Sequence, residues 1–536
     1  MNSTVVLILA SGSISSKLNF LRSRCPSPAL IPVNTRPLAA YLIDFYAAQP
    51  GVQVRLVVNA DVAEAVRAEL GTAEGRYQLE VLQKTVSVVD SLTQAVAALP
   101  ADSDVIVNLV TTIPTQLVER DEVLIAPEPS RTHHWSGVIL TQGDQKPVFS
   151  FKTAPAGPSH AFIGVFRTGL APLQNALAAA SQEKDLLAVI QALDVPLRYT
   201  PSEWIDCGHE TNYYEAKAKL ISSRSFNRVQ VSLETGVLRK SSQHEDKLSR
   251  EIDFIQMLPP AIGVYFPRVL ARRAPAAEVP GFLELEFYGY PTVAEYYLYW
   301  DLSSDNWRRL FSRLAGVLRR FKAFPYSISQ AAFEEFHLQK AAHRVAQFLR
   351  SLDPELRATL EGEITVNGKL LRPFSALTSE LATRLAGMYR DQDSCVMHGD
   401  FCFNNILYDV PSGIVRLIDP RGSFGERCVG IYGDQKYDLA KLEHSAVHGY
   451  DFLVNGLFTL KKSGRTFDYS VATRECAPLV AQLSREVVSD LGHDPAEISL
   501  LTSLLFLSMT PLHAEDPARQ LTMYAHGLRM LNEHLE

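Results

Sequence analysis

The sequence is poor in cysteine. It has six cysteines among 536 residues, and no two of them form a Cys-x-x-Cys pair. This spacing excludes the common structural zinc sites and the dithiol redox motifs. Sparse, scattered thiols also suit a reducing compartment, so we expect a cytoplasmic location.

The sequence also lacks an excess of positive charge and lacks long apolar runs. Its 52 Lys and Arg are outnumbered by 59 Asp and Glu, which gives a net charge of −7. Nucleic-acid binding leaves a basic footprint, so we expect no nucleic-acid partner. The apolar run at residues 5–10 is too short to cross a bilayer and follows no basic segment. We also expect that no later apolar run spans a membrane.

The chain is long, and its composition is that of an ordinary globular enzyme. It is 46% hydrophobic and 21% charged. Because one hydrophobic core serves roughly 100–200 residues, several domains are needed. We place a first domain at residues 1–220, a small lobe at 221–290 and a helical lobe at 291–536.

The first domain alternates strand-like and helix-like segments. Strand patterns occupy residues 5–10, 54–59, 79–82, 105–110, 136–140 and 161–167, and helical spacing occupies residues 38–48, 62–70 and 91–99. This alternation is typical of an α/β fold and predicts a Rossmann-type mixed sheet, mainly parallel, with helices on both faces.

A different pattern begins near residue 221. Residues 229–233 and 237–240 predict two paired strands, joined by a turn at Glu234-Thr235-Gly236. A helix over 245–257 and a strand over 282–288 follow. From Pro291 onwards the pattern is helical, apart from a strand–turn–strand at 406–418. We therefore predict an α+β unit with a small mixed lobe and a larger helical lobe.

Three oxygen-bearing side chains stand close together in the helical lobe. Asp400 and Asn405 share one loop, and Asp419 follows a short apolar strand after a turn that reverses the chain. Phosphoryl transfer from ATP needs a carboxylate that takes the proton of the attacking hydroxyl, and oxygen ligands that hold Mg²⁺ against the phosphates. Asp400 suits the first task, and Asn405 and Asp419 suit the second.

This ordered set resembles the aminoglycoside phosphotransferase and choline kinase family, which shares the protein-kinase-like fold. The matching residues are His398-Gly399-Asp400, Asn405, Ile418-Asp419, Gly433-Asp434 and Asp438-Leu439-Ala440. The resemblance implies ATP and Mg²⁺ as cofactors, Asp400 as catalytic base and Asn405 and Asp419 as metal ligands. It also implies His398 and Asp438 as structural residues of the catalytic loop. No catalytic position is substituted, which disfavours an inactive pseudokinase.

The nucleotide site is predicted from residues upstream. Lys240 ends a strand and Glu251 lies on the next helix, as in kinases that pair a lysine with a helix glutamate to hold the α- and β-phosphates. The alternative is that both are surface residues. No Gly-x-Gly-x-x-Gly loop is present, and we assign its place to a turn that contains Ser223, Ser225 and Asn227.

Arg421 follows Asp419 closely and has two possible roles. One is contact with a phosphate or with the phosphate acceptor. The other is a salt bridge within its own loop. The sequence does not decide between them.

The first domain resembles sugar-phosphate nucleotidyltransferases over residues 1–220. The resemblance rests on the opening strand with its Gly12 loop, on residues 28–38, and on the Trp204-Ile205-Asp206-Cys207-Gly208 segment. Nucleotidyl transfer needs cations around the triphosphate and two metal-binding aspartates. Only Gly12, Lys17 and Asp206 remain of the site that the resemblance implies. Pro28 replaces a lysine, and Thr111-Thr112 replaces Gly-Asp. Two alternatives stay open: an inactive or binding-only domain, and an enzyme that uses other residues.

Together the two resemblances imply an ATP-dependent phosphotransferase that acts on a hydroxyl of a small metabolite. The attached first domain suggests a sugar, polyol or amino alcohol as acceptor and surface-polysaccharide precursor synthesis as the setting. One alternative is a bifunctional kinase and nucleotidyltransferase that makes a nucleotide-activated sugar or polyol. Another is a non-catalytic nucleotide-binding scaffold.

Overall fold

The chain divides into two compact units, Met1–Leu220 (unit 1) and Ile221–Glu536 (unit 2). The structure is a computed structural model. It describes residues 4–14, 18, 25–71, 75–126, 135–140, 147–151, 160–221, 227–242, 245–273, 281–300, 302–425 and 427–536.

Unit 1 is built on a mixed sheet of nine strands. Its strands and four short strands that form two separate pairs are β1 (Thr4–Leu9), β2 (Pro32–Val33), β3 (Arg36–Pro37), β4 (Val52–Asn59), β5 (Gln78–Leu82), β6 (Asp104–Leu109), β7 (Thr112–Pro114), β8 (Glu122–Ala126), β9 (Gly137–Ile139), β10 (Val148–Ser150), β11 (His160–Gly169), β12 (Arg198–Pro201) and β13 (Trp204–Asp206). The main path runs β10-β9-β11-β6-β1-β4-β5, and β8 joins β11 to β12.

Helices cover this sheet. They are α1 (Leu38–Ala47), α2 (Ala63–Glu69), α3 (Val88–Val96), α4 (Leu170–Ala179), α5 (Leu186–Ala192) and α6 (Glu210–Lys219). All side chains of β1 from Val5 onwards are buried. Such a continuous apolar run is what a central strand with both faces covered requires.

The sheet differs from the prediction in strand direction. β1 is parallel to β4 and β6, and β4 is parallel to β5, as expected. However, β11 is antiparallel to both β6 and β8. Among the described residues no helix separates β6 from β11, and a parallel return needs a long crossover. The α/β class and the mixed sheet are confirmed, and only the expectation that most strand pairs are parallel fails in this half.

The small lobe of unit 2 is a four-stranded antiparallel sheet in the order β14-β15-β17-β16. Its elements are β14 (Asn227–Ser232), β15 (Val237–Ser242), α7 (Glu245–Met257), α8 (Pro260–Gly263), β16 (Val269–Arg273) and β17 (Gly281–Glu286). The hairpin turns at Gly236, whose φ of 67° only glycine adopts freely. This lobe matches the prediction, with β16 as an additional strand.

The larger lobe is helical. Its helices are α9 (Val293–Tyr299), α10 (Ser304–Lys322), α11 (Gln330–Glu334), α12 (Lys340–Ser351), α13 (Pro354–Leu360), α14 (Phe374–Ala386), α15 (Gln435–Ala446), α16 (Tyr450–Val454), α17 (Ala477–Asp490), α18 (Pro495–Met509) and α19 (Pro517–His534). A π-helical turn, Glu335–Gln339, joins α11 to α12. Such turns are rare and change the direction in which the following side chains point.

Short strands interrupt these helices. They are β18 (Ile364–Val366), β19 (Lys369–Leu371), β20 (Ser394–Val396), β21 (Ile406–Asp409), β22 (Ile414–Leu417), β23 (Ser423–Phe424), β24 (Cys428–Val429), β25 (Tyr432–Asp434), β26 (Phe458–Ser463) and β27 (Thr466–Val471). The predicted pair over 406–418 is β21–β22. The sheet β19-β18-β27-β26 was not predicted.

One helix contradicts the expectation that no later run is long enough to cross a bilayer. Residues Pro495–His513 have the length and apolar composition of a membrane span. Two thirds of that segment is buried inside the unit, where α18 packs between α15 and α19. This is the environment of a core helix, and it explains an apolar composition without any membrane.

Candidate active site

The catalytic loop lies between β20 and β21. Asp400 projects from it, with Oδ1 2.8 Å from the Lys441 ammonium. Its Oδ2 accepts a hydrogen bond of 2.9 Å from Nδ2 of Asn405, which follows in a 3₁₀ turn. The Asp400 side chain keeps 40% of its surface exposed. The loop therefore presents one carboxylate to the solvent side while fixing both of its oxygens.

The charge state of Asp400 is set by Lys441. The surrounding protein alone would raise the pKa of Asp400, but the ammonium and hydrogen bond of Lys441 outweigh this effect and hold that pKa well below its usual range. The burial of Lys441 acts against its own charge, and Asp400 outweighs it, so the pKa of Lys441 is raised. Both groups are charged at neutral pH, and Asp400 can orient a hydroxyl as a carboxylate.

Asp438 anchors the loop from the first turn of α15. Its carboxylate accepts backbone hydrogen bonds from His398 at 2.7 Å and Gly399 at 2.8 Å. Burial raises the pKa of Asp438 to about 7 against the opposing influence of these bonds. This contact is the anchoring role that the resemblance implies for Asp438.

His398 joins the catalytic loop to the strand β22. Its Nδ1 accepts from the Asp400 amide at 3.1 Å, so Nε2 donates to the Ile418 carbonyl at 3.0 Å. Burial lowers the pKa of His398 to about 4. A neutral imidazole with this tautomer holds the two loops together.

The β21–β22 hairpin brings Asp419 next to Asn405. The Ile418 amide donates to the Asn405 carbonyl at 3.0 Å. Asp419 itself has a φ of 55°, in the left-handed region that non-glycine residues rarely occupy. Its side chain is 53% exposed. A strained, exposed carboxylate held in place by its neighbours is typical of a functional site.

The side chains fit a magnesium ion. Asn405 donates Nδ2 to Asp400, which leaves its Oδ1 available as an oxygen ligand, and Asp419 directly follows Ile418, whose amide bonds to the Asn405 carbonyl. Mg²⁺ in phosphotransferases is held by one or two protein oxygens and completed by phosphates and water. Among the described residues there is no group of three or more His, Cys, Asp or Glu that could hold a metal by itself. The donor set therefore suits Mg²⁺ carried with ATP.

Lys240 and Glu251 pair as predicted, with Nζ 2.7 Å from Oε1. Lys240 also forms an ion pair with Asp419. Burial disfavours the charge of Lys240, but Asp419 and Glu251 outweigh it and raise its pKa. Glu251 is buried, so the alternative of two surface residues is wrong. The lysine stands between the small lobe and the metal ligand, where the α- and β-phosphates of ATP are expected.

The predicted phosphate-covering turn is only partly observed. Ser223 and Ser225 lie outside the described residues, as does Lys17 of unit 1. Asn227 begins β14 and pairs in register with Ser242. The assignment of this turn to the phosphates stays a prediction.

Arg421 forms no salt bridge within its loop or elsewhere among the described residues. Its amide donates to the His398 carbonyl at 2.9 Å, and its Nη1 donates to the Tyr437 hydroxyl at 3.3 Å. Its Nε is buried without a hydrogen bond. The expected salt bridge within the loop is not observed, and contact of Arg421 with a phosphate or an acceptor stays a prediction.

Gly422 places the two lobes of unit 2 in direct contact. It has a φ of 69°, and a Cβ at this position would lie 2.5 Å from the Arg250 carbonyl oxygen. Arg250 precedes Glu251 on α7. No residue with a side chain fits there without moving the helix that carries the lysine's partner.

The candidate site of unit 1 is closed by its own neighbours. The Asp206 carboxylate accepts from the Gly208 amide at 2.9 Å, contacts His209 Nδ1 at 2.7 Å and accepts from Asn212 Nδ2 at 2.8 Å. In the β7–β13 pair it lies opposite Thr112. No second carboxylate stands where the resemblance implies one, and a Cβ at Gly12 would meet open space. This arrangement favours the inactive or binding-only alternative.

Several residues around Asp400 were missed by the sequence analysis. Lys441 and Tyr437 come from α15, and Lys340 and Arg344 come from α12. Lys441 follows Asp438 by one helical turn, and this i, i+3 spacing was the one available signal. Nothing in the sequence indicates that α12 packs beside the catalytic loop.

Residues 217–422 match the phosphotransferase enzyme family. The matched segment contains Lys240, Glu251, Asp400, Asn405 and Asp419. The family resemblance of the C-terminal half and its kinase-like fold are thereby confirmed. No curated protein matches the chain.

Solved structures similar to the N-terminal 40% or so of the chain are nucleotidyltransferases. A UDP-glucose pyrophosphorylase is 14% identical, with 40% of this chain and 97% of that one covered and a TM-score of 0.31. HddC from Yersinia pseudotuberculosis is 15% identical, with 41% of this chain and 99% of that chain covered and a TM-score of 0.30. The inositol-1-phosphate CTP transferase from T. maritima is 14% identical, with 41% of this chain and 96% of that chain covered and a TM-score of 0.31. These values carry no conclusion about what unit 1 does.

Proposed function

We propose that unit 2 is an ATP-dependent kinase that phosphorylates a hydroxyl of a small metabolite, such as a sugar, polyol or amino alcohol. The observation that carries the proposal is the ionised Asp400 carboxylate, fixed by Lys441 and Asn405 and joined through His398 to the loop of Asp419. A base and two metal-ligand oxygens thus converge beside the Lys240–Glu251 pair.

The chain's own residues perform the following steps. Lys240, held by Glu251, binds the α- and β-phosphates. Asn405 and Asp419 would hold Mg²⁺, which when bound would neutralise charge on the phosphate oxygens. Asp400 accepts a hydrogen bond from the acceptor hydroxyl. The hydroxyl oxygen bonds to the γ-phosphorus as the bond from that phosphorus to the β,γ-bridging oxygen breaks. The hydroxyl proton passes to Asp400, and ADP leaves.

The replacement Asp400→Asn tests this function. It keeps the size of the side chain but removes the base, so ATP-dependent phosphorylation should fall by about 10²- to 10⁴-fold. Asp468→Asn, on an exposed position of β27, is the matched control and should leave turnover unchanged. Thermal unfolding of both variants checks the fold. Turnover of Asp400→Asn equal to that of the parent protein would rule the mechanism out.

We propose no catalytic step for unit 1. The Asp206 carboxylate is already bonded by Gly208, His209 and Asn212, which supports a binding or structural domain. A cytoplasmic setting in surface-polysaccharide precursor synthesis is part of the proposal and rests on the domain pairing alone. Pyrophosphate release from CTP, UTP or GTP with sugar phosphates, lost in Asp206→Asn, would instead support the bifunctional alternative.

A further inference from the structure

A cleft beside Asp400 is bordered by an unusual number of cations. It is a small, open space lined by Lys340 and Tyr437 together with Leu501, Leu504 and Leu505 of α18. Lys340 and Arg421 both donate to the Tyr437 hydroxyl, and Lys441 Nζ lies 6.0 Å from the centroid of the Tyr437 ring. Lys340 lines the cleft itself, and Arg344 donates to the carbonyl of Ser508, another lining residue. Four cationic side chains are thus grouped near this space.

Only one of these cations has an acidic partner. Lys441 is paired with Asp400. Within the part of the chain that the structure describes, Lys340, Arg344 and Arg421 form no ion pair with a carboxylate. Lys340 instead lies 3.8 Å from the centroid of the Phe336 ring. Cations removed from water without an anion are costly, so this cluster is incomplete as it stands.

Hydrogen bonds confirm that the cluster has donors to spare. The Tyr437 hydroxyl accepts from Lys340 at 3.4 Å and from Arg421 at 3.3 Å, so its own proton is left to donate. Arg421 Nε is buried without a partner. Arg344 uses Nη1 on the Ser508 carbonyl at 3.1 Å. Guanidinium and ammonium groups arranged in this way match the several oxygens of a phosphate or carboxylate.

The charges also act on one another. Burial and the nearby Arg421, Arg344 and Lys441 lower the pKa of Lys340 well below its usual value, and Asp400 opposes them only weakly. An anion placed among these groups would relieve the repulsion. The π-helical turn that ends at Gln339 comes directly before Lys340 and determines the direction in which it points.

We infer that the phosphate acceptor carries a negative charge of its own, a phosphate or a carboxylate, which Lys340, Arg344 and Arg421 bind while its hydroxyl faces Asp400. This inference rests on the proposed kinase function and narrows the acceptor to an anionic hydroxyl compound. It disfavours amino alcohols, because the cluster repels an ammonium group.

The test uses the full chain with Mg-ATP and matched acceptors. Each neutral compound is paired with anionic counterparts: a hexose with its hexose phosphate and with its sugar acid, and a polyol with its polyol phosphate. Ethanolamine is the cationic probe. We expect kcat/KM for an anionic member to exceed that of its neutral partner by at least roughly tenfold. Comparison of the hexose phosphate with the sugar acid shows whether a phosphate or a carboxylate is the preferred anion.

Variants link the preference to the cluster. Lys340→Met should raise the acceptor KM by roughly tenfold to a hundredfold, the range for loss of a charged hydrogen bond, and leave the KM for ATP unchanged. Lys340→Arg should restore binding in part, and Lys461→Met, on an exposed strand, is the control.

The outcomes separate the two proposals. Efficient use of neutral or cationic acceptors, with anionic ones no better, overturns the inference and leaves the kinase function in place. A Lys340→Met effect confined to the KM for ATP also overturns it, because the cations would then serve the nucleotide. If no compound is phosphorylated and no ADP forms, both proposals fall together.

Discussion

Lys441 Nζ lies 2.8 Å from Asp400 Oδ1, and the lysine comes from the same helix as the residue that anchors the catalytic loop. Asp438 and Lys441 are three positions apart on α15, so they point to the same side of the helix. Asp438 holds the backbone of the catalytic loop, and Lys441 holds the Asp400 carboxylate. A single helix therefore fixes both the position and the charge of the proposed base.

Replacing Lys441 should shift the pH dependence of the reaction. The depressed pKa of Asp400 keeps it ionised at acidic pH. In Lys441→Met the ammonium is gone and the influence of burial remains, so the pKa of Asp400 rises and the acid limb of kcat/KM moves to higher pH. Rates measured from about pH 4 to pH 9 test this. Lys441→Arg should keep the limb near its original position, and an unmoved limb in Lys441→Met would contradict the assignment.

Replacing Lys240 should weaken nucleotide binding. Lys240→Met removes the cation that Glu251 and Asp419 hold, and the KM for ATP should rise by roughly tenfold to a hundredfold. Arg239→Met is the matched control, since neighbouring strand residues face opposite sides of the sheet and Arg239 pairs with Glu284 instead. Equal KM values for ATP in the two variants would remove Lys240 from the nucleotide site.

Replacing Gly399 should distort the catalytic loop. Gly399 has a φ of 79°, and a Cβ there would lie 2.6 Å from the Arg421 Cβ. Gly399→Ala should cost about 1–3 kcal/mol of unfolding free energy and reduce turnover, because Arg421 must move. Gly316→Ala in α10 meets open space and should be neutral or slightly stabilising. Denaturant unfolding and rate measurements on both variants provide the comparison.

Asp451 should give the protein a pH-dependent stability. Burial raises its pKa to about 7. In the unfolded chain an aspartate has a pKa of about 3.9, so between about pH 4 and pH 7 only the folded state holds this proton, and stability falls as the pH rises. Asp451→Asn removes that contribution.

The stability test for Asp451 compares melting temperatures at about pH 5 and pH 8. The difference between Asp451→Asn and the parent protein should favour the variant more at the higher pH. Asp468→Asn, an exposed site, should show no such change. A difference for Asp451→Asn that is the same at both pH values would mean that Asp451 is ionised throughout.

The parts of the site that depend on local spacing were predictable from the sequence. Asp400, Asn405 and Asp419 belong to one loop and one hairpin, so their order along the chain fixes their proximity. Lys240 and Glu251 lie on a strand and the helix that follows it, and their pairing is equally local.

The parts that depend on packing between distant elements were not predictable. Lys340 reaches the cleft and Tyr437 of α15 because α12 packs on α18, and no periodicity in the sequence predicts that packing. The antiparallel direction of β11 was not predicted either. Only short strands, β7 to β10, lie between β6 and β11, and their sequence patterns were too weak to recognise. The apolar α18 satisfies the composition of a membrane span, and only its burial shows it to be a core helix.

The contact at Gly422 limits how closely the two lobes of unit 2 can approach each other. Because the backbone of this residue touches the Arg250 carbonyl, α7 and the loop of Asp419 have no gap left between them to close. The two lobes are already at their closest approach on this side, and the absent side chain of one glycine sets that distance.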